Sequence, residues 1–215
     1  MGEQIIKRSA TEQVYTLIVK KITKGEFAPG ARLNIENLSK EFGVSRTPVR
    51  EAIGMLTQNG FLEHIHNVGP RVPEITQQQL SDLIETNMIL IDGIIPLIFR
   101  NGVADGLLEE LEKINQMQRQ ALEEDDEEAF NQSSIKFHET IIEACPNKKL
   151  EQISKQVWKQ LDAWVNIYQE TSISKQLSVE QHEEIYQAFR ERDQDKVLRL
   201  MKVHNAVPIG YFKNV

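Results

Sequence analysis

The chain is short of cysteine, of long apolar runs and of positive charge, and each shortage removes a class of protein. One cysteine among 215 residues, Cys145, excludes an internal disulfide framework and a zinc site built from several thiolates. It reads as a small buried hydrophobe. No apolar run approaches the roughly 20 residues that cross a bilayer. The stretch Met88–Phe99 is interrupted by Asp92, Gly93 and Pro96, so it reads as a buried helix that Pro96 kinks near its end. The first ten residues lack the apolar core of a signal peptide, so the expected location is the cytoplasm, with no membrane partner.

Basic residues number 25 against 32 acidic ones, a net charge of −7. The deficit is uneven. Residues 1–76 hold ten Lys/Arg and eight Asp/Glu, a net +2, which leaves −9 for the rest. Local rather than total charge governs contact with phosphates, so an N-terminal nucleic-acid interface is compatible with an acidic chain. The acidic block Glu123-Glu124-Asp125-Asp126-Glu127-Glu128 reads as a solvated turn whose last residues cap the next helix.

At 215 residues two small domains are expected, residues 1–75 and 76–215. In the first, Ser9 and Glu12 have capping-box spacing, and Val14, Leu17, Ile18 and Ile22 share one helical face until Gly25. Asn34 can cap a short helix, Ile35–Phe42, that buries Leu38 and Phe42 and stops at Gly43. A third helix follows almost at once, with Ser45 as N-cap and Pro48 in its first turn, and runs to Asn59-Gly60. Two short helices around a tight glycine turn make a helix-turn-helix, whose second helix opens with Ser45, Arg46, Thr47 and Arg50. In the major groove Arg can grip guanine edges, and Ser/Thr can bond bases or phosphates. Phe61–His66 and Pro70–Val72 read as a short hairpin, a wing, with His64 and His66 as ordinary wing-surface residues.

The stretches "GEFAPGARL", "LSKEFGVSRTPVREAIGMLTQNGFLE" and "GPRV" resemble the winged helix of the GntR family of bacterial regulators. The resemblance implies operator contacts from Ser45, Arg46, Thr47 and Arg50, and a wing around Gly69 and Arg71 that reaches the minor groove. Some members also touch phosphate with an Arg on the second helix. Here the corresponding residue is Glu36.

After the wing the sequence reads as six helices in a compact antiparallel bundle, making the fold mainly α. Thr76 to Gln79 offers a second capping box, followed by the stripe Leu80, Leu83, Ile84, Met88, Ile91 and Ile95. The later helices are expected over Gly106–Leu122, Glu127–Ala144, Lys148–Thr171, Val179–Glu191 and Gln194–Ala206. His138, His182 and His204 all lie on apolar faces. Asp193 sits eleven residues from both His182 and His204, so an antiparallel hairpin sets the two imidazoles at one height, each about 16 Å from the turn. Singly, such a His is a hydrogen-bonded core residue. Together the three offer a three-nitrogen site for a divalent metal, zinc or nickel, with open positions.

"FHETIIEACPNKKL" and "EQHEEIYQAFRERDQDKVLRLMKVH" are similar to the FCD effector domain of the FadR-like branch of the same family. In its metal-binding members the resemblance implies three His ligands, matched by His138, His182 and His204, plus an Asp or Asn one turn before the first. That fourth position is Ser134 here, a weak ligand beside a carboxylate. Members often carry an Arg on the first effector helix, where Asn87 falls. The resemblance implies a regulator, expected to be a repressor, that binds double-stranded DNA as a homodimer on a near-palindromic operator and answers a small-molecule effector such as an organic acid. An alternative keeps the DNA-binding dimer and makes the helical domain purely structural. A metal-dependent hydrolase is disfavoured, because no Asp or Glu is spaced as a general base near the histidines.

Overall fold

The structure is a computed structural model and describes residues 9–168 and 174–212. It divides into two compact units, one taking in the chain up to Thr76 together with Ala163–Tyr168, the other beginning at Gln77.

In the first unit α1 (Ala10–Thr23) starts at a complete capping box. The Ser9 hydroxyl accepts from the Glu12 N–H at 3.1 Å, and the Glu12 carboxylate accepts from the Ser9 N–H at 2.9 Å. Val14, Ile18 and Ile22, four residues apart, are buried, as a helix with one apolar stripe requires. Asn34 caps α2 (Ile35–Glu41) by accepting from the N–H groups of Glu36 and Asn37. α3 (Arg46–Gln58) buries Val49, Ala52, Ile53 and Leu56 and packs against both α1 and α2. Gly43, between α2 and α3, takes φ +65°, a conformation that costs a glycine little. Three expectations change. Leu17, expected on the apolar face of α1, is 43% exposed. Ser45 holds the N-cap position of α3, but its hydroxyl makes no capping bond. Phe42 is the C-cap of α2 and only half-buried.

The wing is β1 (Glu63–Ile65) antiparallel to β2 (Gly69–Arg71), with Glu63 opposite Arg71. Arg71 Nε donates to the Glu63 carboxylate at 2.6 Å across that pair. The segment before α2 also joins the wing, which periodicity does not reveal: Arg32 bridges Arg71, and the Leu33 N–H donates to the Pro70 carbonyl at 2.9 Å.

The second unit is built from α4 (Gln77–Asn101), α5 (Asp105–Glu123), α6 (Glu127–Glu143), α7 (Lys148–Tyr168) as far as Asp162, α8 (Lys175–Arg190) and α9 (Gln194–Phe212). The expected end of the fourth of these, Thr171, lies outside the described residues. α8 begins earlier than expected, because Ser174 rather than a later residue caps it. α4 continues past Pro96 to Asn101. Side-chain pairs fix antiparallel neighbours. Glu143 meets Lys155 and Glu139 meets Lys159 between α6 and α7, while Asn87 meets Asn205 and Asp92 meets Lys202 between α4 and α9.

The acidic block divides as its charges require. α5 ends at Glu123, Asp125 turns the chain with φ +53°, and Asp126 caps α6 by accepting from the Ala129 N–H at 3.0 Å. Glu127 and Glu128 then lie in the first turn of α6, where the helix dipole favours them. Asp126→Ala should therefore cost about 1 kcal/mol of stability, whereas Glu123→Gln, at the unfavourable end of α5, should cost less than about 0.5 kcal/mol. Urea denaturation followed by tryptophan fluorescence measures both. Equal losses would contradict the capping assignment.

Candidate functional sites

At the start of α3 the side chains of Ser45, Arg46, Thr47 and Arg50 are all exposed. Their exposure follows from the register of the helix, since Val49, Ala52, Ile53 and Leu56 take the buried face. Arg46 is not isolated: its Nη2 lies 3.4 Å from Glu36 Oε1, which also lies 3.4 Å from Lys40 Nζ. On the wing Gly69 adopts φ +95° and Arg71 is held by Glu63. His64 and His66 are exposed strand and turn residues, as the sequence reading had them.

In the helical unit the three histidines meet. His182 Nε2 is 3.2 Å from His204 Nε2, which is 3.1 Å from His138 Nε2. The three ligand atoms lie within 4.8 Å of one another, with His138 and His182 buried and His204 partly so. The equal offsets of His182 and His204 from Asp193 thus have the consequence expected of a hairpin, formed here by α8 and α9.

Each ring is fixed by its surroundings. Gln118 Oε1 lies 2.8 Å from His182 Nδ1, and Gln181 Oε1 lies 2.8 Å from His204 Nδ1. Phe137 stacks on His182 with ring centroids 4.1 Å apart, and Trp158 lies against His138 at 3.9 Å. Burial holds the His138 and His182 imidazoles well below the usual range, helped by the neighbouring imidazoles, and pushes His204 down to about 4. All three are therefore neutral at pH 7.

This arrangement has a chemical consequence. With amide oxygens accepting at Nδ1 of His182 and His204, the ring protons sit on Nδ1, and both Nε2 atoms present lone pairs to each other. Lone pairs about 3 Å apart repel unless a proton or a Lewis acid lies between them. Imidazoles bonded to a tetrahedral ion at 2.0–2.1 Å have nitrogens about 3.3 Å apart. The donor set and its spacing fit such an ion. A metal-free arrangement requires one of the two amides, Gln118 or Gln181, reversed, so that its N–H₂ donates to Nδ1 and the proton of the ring it faces moves to Nε2.

Ser134 is half-buried one turn before His138 on α6, and among the described residues only the three histidines are grouped as candidate metal ligands. Asn87 is buried and donates from Nδ2 to the Asn205 oxygen at 3.1 Å, beside His204, while its own Oδ1 has no partner among the described residues. Sequence reading missed Gln118, Gln181 and Trp158. Gln118 had left a trace, because it occupies the apolar row of α5 after Leu107, Leu111 and Ile114.

A winged helix-turn-helix followed by a six-helix domain with an imidazole cluster defines a class of DNA-binding transcription regulator. Residues 10–72 match the bacterial regulatory proteins of the gntR family, and residues 82–206 match the FCD domain. The chain belongs to the GntR family, with an FCD domain; its relatives are transcription regulators, not enzymes. The regulator YdhC of Bacillus subtilis is 28% identical over 148 residues, which make up 67% of this chain but only 65% of that one, just under two thirds of its length. The gluconate operon transcriptional repressor of the same species is 22% identical over 86% of this chain and 76% of its own. The solved structure of Escherichia coli McbR/YncC shares the fold, with TM-score 0.81 and 24% identity over 96% of this chain and 98% of that one.

The depressed imidazoles make acid sensitivity predictable. The unfolded chain takes up protons near pH 6.5, whereas folded His204 resists until about 4, so the unfolded state binds more protons between these limits and stability falls as pH drops through that window. Chelator-treated protein should melt progressively lower from about pH 6.5 to 4, and His204→Ala should flatten the dependence. An unchanged slope in the variant would show that His204 is not buried as a neutral ring.

Proposed function

We propose that the chain is an effector-responsive repressor, acting in the cytoplasm as a homodimer on a near-palindromic operator. We further propose that His138, His182 and His204 hold a divalent metal, zinc or nickel, beside a small-molecule effector site. The observation that carries the proposal is the convergence of three imidazole Nε2 atoms, with the His182 and His204 rings held from behind by Gln118 and Gln181. Histidine ligands generally have the second ring nitrogen anchored in this way. When bound, the ion supplies a Lewis-acidic position to an oxygen of the effector.

Residues of the chain do the remaining work. Phe137 covers the His182 ring and Trp158 the His138 ring. Among the described residues Asn87 Oδ1, Asn115 Oδ1, Gln118 Nε2 and Trp158 Nε1 are buried without partners, and such groups cost about 1–3 kcal/mol each until a ligand or water meets them. At the other unit, Ser45, Arg46, Thr47 and Arg50 read the major groove, and Gly69 and Arg71 bring the wing to the minor groove. A single recognition helix reads only a few base pairs, so a two-fold dimer on two half-sites supplies the rest. Effector binding then favours a state whose recognition helices no longer match the half-sites.

Arg46→Ala and Arg50→Ala should each weaken binding to a selected operator by about 1–3 kcal/mol with the fold intact; wild-type affinity in both would refute their assignment. The metal is tested separately. Elemental analysis should find stoichiometric metal in the wild type and none in His182→Ala/His204→Ala, which should still bind DNA. Ser134→Asp should tighten metal binding and favour harder, oxygen-preferring ions, because it adds the negative charge that three neutral imidazoles lack. Equal calorimetric affinities in wild type and Ser134→Asp would place residue 134 away from the metal.

A further inference from the structure

The second helix of the DNA-binding unit presents an acid where attraction to phosphate calls for a base. Glu36 stands at the second position of α2, and its carboxylate reaches across to the recognition helix, 3.4 Å from Arg46 Nη2, while the same oxygen lies 3.4 Å from Lys40 Nζ. One carboxylate thus engages two cations at the end of the motif proposed to meet DNA.

Fold stability does not account for this arrangement. The Glu36 and Arg46 side chains are 54% and 59% exposed, and ion pairs that open to solvent add little to stability. The start of α2 is already capped by Asn34, whose oxygen accepts from both Glu36 N and Asn37 N. What the carboxylate does alter is the guanidinium of Arg46. A guanidinium drawn to a carboxylate at one Nη has fewer orientations to lose when its free edge meets a base, and a negative charge beside it lowers the attraction of Arg46 and Lys40 for any phosphate of any sequence.

We infer that Glu36 is a positioning and specificity-determining residue: it orients Arg46 for base contact and suppresses sequence-independent binding, so that the protein gives up affinity in exchange for discrimination. This rests on the reading of Arg46 as a base-contacting residue. The two effects act in opposite directions on the two kinds of DNA. Loss of the negative charge strengthens binding everywhere, whereas loss of the orienting contact weakens binding only where Arg46 meets its base.

The test uses the full-length protein, a duplex selected from a random pool by the wild type, and a shuffled duplex of equal length, each titrated over a series of KCl concentrations. Glu36→Gln keeps the size of the side chain and removes its charge. It should tighten the shuffled duplex about threefold to tenfold and steepen the salt dependence by about one in log–log slope, while tightening the selected duplex less, so that the ratio of affinities falls at least about threefold. Glu36→Asp, which keeps the charge on a shorter arm, should leave the salt slope at the wild-type value. In an Arg46→Ala background, Glu36→Gln should no longer change the discrimination beyond what the charge alone does to both duplexes. An unchanged ratio in Glu36→Gln, or equal weakening on both duplexes with a lowered melting temperature, would overturn the inference and leave Glu36 a helix-stabilising acid. If Arg46→Ala itself binds the selected duplex like the wild type, the reading of Arg46 fails instead, and the two failures are thereby distinguished.

Discussion

Placing three imidazoles in one apolar core is the constraint on which the helical domain turns. A cationic imidazolium cannot be buried among Phe137, Trp158 and Ile141 at low cost, so burial enforces neutrality, and neutrality makes a lone pair available on each ring. A neutral ring must still place its one proton. Gln118 and Gln181 decide where, by accepting at Nδ1 of His182 and His204. The hairpin of α8 and α9, with Arg192 turning the chain at φ +59°, supplies the common height, and α6 brings the third ring. The helical lengths, the caps at Asp126 and Ser174 and the polar residues on α5 are all consistent with that one arrangement.

The DNA-binding unit obeys a different electrostatic logic. Its surface is only weakly basic, and several of its cations are already engaged by acids: Arg46 and Lys40 by Glu36, and Arg71 by Glu63. Such a surface attracts phosphate less than its count of Lys and Arg suggests. Under the proposed reading, discrimination then comes from geometry at the start of α3, where the buried row Val49, Ala52, Ile53 and Leu56 fixes which side chains face outward.

Most of this organisation was legible because it rests on local chemistry. The capping box at Ser9, the glycine turn before α3, the split of the acidic block and the pairing of His182 with His204 each depend on spacing along the chain, and spacing is what a sequence records. The misses share a cause as well. Ser45 has the right residue type for a cap but not the bond, and Phe42 has the right period but sits at the helix end, where burial depends on neighbours from elsewhere. The bridge from Arg32 to Arg71 and the bonds from Gln118 and Gln181 join residues that periodicity treats separately. Gln118 alone was recoverable, as a polar interruption of the apolar row on α5.

The composition of the helical core also limits what it can recognise under the proposed reading. Lys and Arg are absent from its described buried residues, which offer only amides, hydroxyls and imidazoles besides apolar side chains. Ser134 stands where metal-binding relatives are expected to carry Asp or Asn and Asn87 where they often carry Arg, so the core supplies neither an anion to balance a divalent cation nor a cation to balance a polycarboxylate. A dication among neutral ligands favours one anionic oxygen group close to it. Any second carboxylate would be buried against neutral amides, which repay its desolvation poorly. A ligand with one acidic group and otherwise hydroxyl or amide functions matches both halves of that core, because its charge meets the ion and its uncharged polar groups meet Asn87, Asn115, Gln118 and Trp158.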